Sequence, residues 1–139
     1  MNEKLYSRIK KIEEKGDFTH ALITDDLVKE VEEKLNLELP AQYKDFLGNF
    51  SHGGIGGLEI LGVGNNNRLV FVETTLKYRE YGLPVNLIVI ENCVEWLYCV
   101  NANDGRIVMW TNGSKEVNTA YNDFDEYLED RIQDVLENM

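Results

Sequence analysis

Apolar residues fall at helical spacing through the first third of the chain. They then gather into short continuous or alternating runs, and return to helical spacing at the end. Leu5, Ile9 and Ile12 space a first helix, which Gly16 ends. Leu27, Val28, Val31 and Leu35 form the buried face of a second. Thr24 is placed to cap it, and Asp25 and Asp26 sit in its first turn, against the positive end of the helix dipole. Pro40 suits the first turn of a third helix, where a missing N–H costs nothing. Tyr43, Phe46, Leu47 and Phe50 give that helix an aromatic face, and the run Ser51-His52-Gly53-Gly54-Ile55-Gly56-Gly57 stops it.

Residues 58–63 read as a strand leaving the glycine run, and Asn65-Asn66-Asn67 as a turn. Residues 69–72 fit either a short strand or the lead into a helix over 74–81, which Gly82 and Pro84 stop. The unbroken apolar run 87–90 has the length and character of a central strand. Residues 96–100 and 106–111 are strands on either side of Asn103-Asp104-Gly105. The Asp-Gly pair there favours a tight turn with positive φ at both residues, so the two strands pair antiparallel. Asn122 is placed to cap a last helix with the stripe Phe124, Tyr127, Leu128, Ile132, Val135 and Leu136. Its opposite face, Glu129, Asp130, Asp134 and Glu137, belongs in water. Helices, then strands, then a helix predict an α+β fold: a central, mainly antiparallel sheet flanked by N-terminal helices and a C-terminal helix.

A length of 139 residues fits one domain, 1–139, with no linker or repeat. No apolar run approaches a membrane span, and the N-terminus lacks the apolar stretch of a secretory signal, so the expected location is cytoplasmic. Cys93 and Cys99 match no metal or redox spacing and read as small apolar residues. The net charge of −11 changes the picture more. The last 24 residues hold eight acidic side chains against one basic, Arg131. Such a surface repels phosphate backbones, so nucleic acid is not expected as a direct partner. A basic protein is, because opposite potentials speed encounter.

Catalytic and cofactor motifs are missing from the sequence. His20 and His52 are the only histidines. The Ser51-His52-Gly53-Gly54 run has no nucleophile elbow to accompany it, so His52 reads as a polar residue at a helix end. The glycines are followed by no Gly-Lys-Ser/Thr, and Glu59 stands where a dinucleotide fingerprint needs its third glycine. Asn101, Asn103 and Asp104 lack the glycine and closing glutamate of a calcium loop. No cofactor or metal and no enzyme activity are expected. Trp96, Tyr98 and Val100 point to one side of their strand, Leu97 and Cys99 to the other. Either face fits the core, and the aromatics fit an interface as well as a core.

The order of these features resembles the SUKH superfamily, the cell-wall-assembly-regulator-like family. A capped helix precedes Leu39-Pro40-x-x-Tyr43-x-x-Phe46-Leu47, and a glycine-rich exit follows at Gly53, Gly54, Gly56 and Gly57. An apolar strand lies at 87–90. Tyr98-Cys99-Val100 is followed after a turn by Val108-Met109-Trp110, and the chain closes on Phe124-x-x-Tyr127-Leu128. Asn101 and Thr111 depart from the Asp and the charged residue frequent in the family at these places. The resemblance implies an immunity protein that binds and silences a co-encoded bacterial toxin domain, frequently a nuclease. The eukaryotic relatives imply instead a regulatory scaffold for a cellular protein. No catalytic residue is carried over. The expected mechanism is occlusion of a basic groove, with candidate contacts Glu91, Glu95, Trp96, Tyr98 and Asp104 around the central hairpin.

Overall fold

The computed structural model describes all 139 residues, Met1–Met139. Helices α1 (Glu3–Ile12), α2 (Asp25–Leu35) and α3 (Ala41–Asn49) come first. Helix α4 (Val70–Arg79), strands β1 (Leu87–Asn92), β2 (Leu97–Asn101), β3 (Ile107–Trp110) and β4 (Asn118–Tyr121), and helix α5 (Phe124–Glu137) follow. The fold is α+β, as the periodicity predicts. Thr24 Oγ1 accepts from Leu27 N at 3.1 Å and caps α2, and Asn2 Oδ1 accepts from Leu5 N at 2.8 Å and caps α1. Three helix starts differ from expectation. Pro40 is the N-cap of α3 rather than a residue within its first turn, because its ψ of 142° is still extended. Asp123, not Asn122, caps α5, accepting from Glu126 N at 2.8 Å. Helix α4 begins at Val70, so the stretch from 69 onward is the lead into a helix.

The sheet runs β1-β2-β3-β4, all antiparallel. Strand β1 is therefore an edge strand, not a central one. Its near-continuous burial has another cause: it is covered on both faces and along its outer side. Thr75 Oγ1 of α4 accepts from Val89 N at 3.0 Å, and Leu61 N donates to Ile90 O at 2.7 Å, so two backbone groups of that edge are already used. The β2–β3 connection is wider than a two-residue turn. Asn101 N pairs with Arg106 O, and only Gly105 takes positive φ, at 79°. Strand β4 has no sequence signal, since Asn118-Thr119-Ala120-Tyr121 is neither apolar nor strongly alternating.

Residues 58–63 do not form a strand. Their backbone divides its bonds among three neighbours: Ile60 N to Gly53 O, Leu61 N to Ile90 O, and Val63 N to Ser51 O. Leu58, Ile60, Leu61 and Val63 are nonetheless all buried. The apolar run sends its side chains into the core without a ladder partner. Helix α3 is the pivot of that core. Tyr43 meets Phe71 of α4 and Phe124 of α5 edge-on, each at 5.5 Å between ring centres, and its hydroxyl donates to Leu61 O at 2.6 Å.

His52 ties the same junction from the other side. Its Nδ1 accepts from Gly62 N at 2.9 Å and its Nε2 lies 3.2 Å from Glu59 Oε2. Both ring nitrogens are engaged, and Nδ1 must be the unprotonated one. His52→Ala strands the buried Gly62 N–H, which should cost about 1–3 kcal/mol. A urea midpoint within error of wild type would show that the bond contributes nothing.

Candidate partner-binding surface

The two faces of the sheet are distinguished by their helices. Trp110 meets Tyr78 of α4 at 6.1 Å, and it pairs across the ladder with Leu97, so Leu97, Cys99 and Trp110 face α4. Tyr98 meets Tyr127 of α5 at 5.3 Å, so Trp96, Tyr98 and Val100 face α5. Both faces of β2 are thus occupied.

A β-bulge decides the chemistry on the α5 side. Val89 pairs with Cys99 but Glu91 pairs with Tyr98, so β1 carries one extra residue between them. In an unbroken ladder position 91 would pair with Leu97, on the α4 side. With the extra residue, Glu91 turns to the side of Tyr98 and α5. Glu91 Oε1 accepts from the Tyr127 hydroxyl at 2.7 Å and from Arg131 Nε at 3.0 Å, and Oε2 accepts from Arg131 Nη2 at 2.7 Å. This is a two-pronged carboxylate–guanidinium pair, the strongest geometry available to these groups. Arg131 Nη1 also donates to Asp134 Oδ2 at 3.1 Å, and the guanidinium carbon lies 5.6 Å from the centre of the Tyr98 ring. Hydrogen bonding to Glu91 holds the Arg131 pKa above its ordinary value, against the opposing effect of burial. Burial, then the Glu91 charge, keep the Tyr127 hydroxyl well above the usual tyrosine range. The same two causes push the Cys93 thiol up to about 12, so it stays protonated and unreactive near neutrality.

Of the five residues expected around the hairpin, two lie inside. Glu91 is 5% exposed and committed to Arg131 and Tyr127, and Tyr98 is packed among Trp96, Tyr121 and Tyr127. Trp96 is half-buried, and Glu95 and Asp104 are exposed. The β1–β2 end collects Glu91, Glu95, Trp96 and Tyr98. Asp104 lies at the other end of β2, roughly 17 Å away at ~3.3 Å per residue. Arg131, Tyr121 and Tyr127 were not singled out as site residues. The one available signal was that Arg131 is the sole cation in a strongly acidic terminus. The exposed face of α5 carries Glu126, Glu129, Asp130, Asp134 and Glu137. Tyr121 donates its hydroxyl to Asp130 at 2.6 Å, which fixes that carboxylate beside the aromatic cluster.

The glycine run offers no anion cradle at its tightest points. Gly53 N donates to Ile60 O, Gly54 N to Asp17 O, Gly62 N to His52, and Gly64 N to Arg68 O. These amides serve the fold.

A family model described as SUKH_5, SMI1-KNR4 cell-wall, matches residues 3–133. The chain belongs to the SUKH family. A crystal structure of a protein from Pseudomonas syringae pv. tomato is similar to this SUKH chain, with a TM-score of 0.76 and 24% identity. The similarity covers 93% of this chain and 96% of the other. That likeness is one of fold. No helix of this SUKH protein is long and apolar enough to cross a membrane.

Proposed function

We propose that this SUKH protein is a non-enzymatic immunity protein that binds a basic bacterial toxin domain, a nuclease, in the cytoplasm and blocks its substrate groove. Family membership over residues 3–133 carries the reading. The acidic α5 face supports the mechanism: its own cation, Arg131, is neutralised by Glu91 and Asp134, and Arg8 of α1, bonded to Gln133, stands beside Glu126, Glu129 and Asp130. The carboxylates outnumber these cations, so the face presents net negative potential to a groove built to hold phosphates. Glu95, Trp96 and Asp104 supply contacts, while Glu91 and Tyr98 support them from behind. The test is to mix the purified chain with the product of the gene beside its own. Nuclease activity of that product should fall to background near equal molar amounts. Undiminished cleavage at a large excess of the chain refutes the proposal.

A further inference from the structure

We infer that the corner Val94-Glu95-Trp96, between β1 and β2, is the anchor of this interface. It docks into a shallow apolar socket next to Arg or Lys side chains on the partner protein. The inference rests on the proposed function and deepens it.

Val94 combines two properties found together nowhere else in the chain. It is 93% exposed, the most exposed of the large apolar residues. It is also the only β-branched residue at positive φ, at 71°. The other such non-glycine positions are Asn36, Asn66, Asn67, His20 and Ser51, residue types that tolerate the left-handed region better. A β-branched side chain there is strained, and Val94 has almost no buried surface to offset the strain. Leu22 and Val85 are also exposed, but at ordinary backbone angles, so they need no explanation.

The corner is held rigid. Cys93 N donates to Trp96 O, Glu95 N to Cys93 O, and Val94 N to Asn92 Oδ1, each at 2.9 Å. A knob fixed in advance loses little freedom on binding. Trp96, two residues on, packs on Tyr98, which packs in turn beneath Arg131. Exposed carboxylates join this cluster: Glu95 in the corner itself, Asp134 through Arg131 above Tyr98, and Asp130 through Tyr121, which packs on Tyr98. Arg131, the cation among them, is saturated by Glu91 and Asp134. An apolar knob next to exposed carboxylates complements an apolar socket next to cations.

The test follows binding of the neighbouring gene product by surface plasmon resonance, alongside thermal unfolding of each variant. Val94→Asn suits the left-handed backbone but removes the knob. It should raise the melting temperature by about 3 °C, while the dissociation rate rises about tenfold or more. Glu95→Lys with Asp134→Lys should instead slow association at low salt and lose most of that effect at high salt. Leu22→Asn, at an exposed apolar residue outside the corner, should leave the dissociation rate within about twofold. An unchanged dissociation rate in Val94→Asn, or a lowered melting temperature, overturns the inference while the proposed function survives. Absence of binding by the wild-type chain overturns both.

Discussion

Arg131→Ala is expected to cost about 3–5 kcal/mol of folding stability, far more than an ordinary surface ion pair. The difference lies in what is left behind. Glu91 is 5% exposed, and without the guanidinium its carboxylate keeps only the Tyr127 hydroxyl as a partner. An unpaired charge under the aromatic cluster has to stay desolvated or pull water in. The variant also strips the cation from above Tyr98. Equilibrium urea unfolding reads the loss as a lower midpoint at unchanged slope. The double variant Glu91→Leu/Arg131→Met removes the charge and its partner together, so it should recover most of the loss. It keeps a residual cost of about 1 kcal/mol for the unsatisfied Tyr127 hydroxyl. A cost under about 1 kcal/mol for Arg131→Ala would place the pair among exposed ones and remove Glu91 as a buried charge.

Gly62→Ala is expected to be comparably severe. A methyl group at that position would sit 1.7 Å from Ser51 O, a backbone atom that already accepts from Val63 N at 2.9 Å. No rotamer change relieves such an overlap. Two chain segments must separate, and the His52–Gly62 bond goes with them. The expected loss is about 3 kcal/mol or more, at the upper end for overpacking. Gly57→Ala is the control from the same glycine-rich region. Nothing lies within 4 Å of its added carbon, and its backbone angle is ordinary. It should be neutral or slightly stabilising through the unfolded chain. Equal behaviour of the two variants would mean that the close approach at Gly62 relaxes without consequence.

The helices were legible because each carries its own local code. Leu5 and Ile9 of α1, Val31 and Leu35 of α2, and Phe124, Tyr127, Leu128 and Ile132 of α5 are all buried at the spacing that predicts them. The β2–β3 pairing was legible for the same reason, since Asp104-Gly105 marks the reversal locally. What stayed hidden depends on distant parts of the chain. Residues 58–63 and 87–90 look alike as apolar runs, yet only the second finds a continuous strand beside it. The candidate surface was half legible. Glu95 is exposed and Trp96 half-buried, as a contact role requires, but the inward turn of Glu91 follows from one extra residue in β1, which no periodicity announces. Arg131 is forty residues away from Glu91 in sequence, and only the packing of α5 brings them together. The strain at Val94 is invisible in sequence, because a valine gives no hint of its own backbone angle.

The covered edge of β1 has a bearing on how any partner can be recognised. Many small sheets capture peptides by lending their outermost strand as a template, and the affinity then comes from main-chain bonds indifferent to side chains. Here that template is spent on Thr75 and Leu61, and the opposite margin of the sheet is the four-residue β4. A visitor to β1 must be chosen by the shape and charge of side chains, so a few surface substitutions can re-address the protein to a different target without touching its framework.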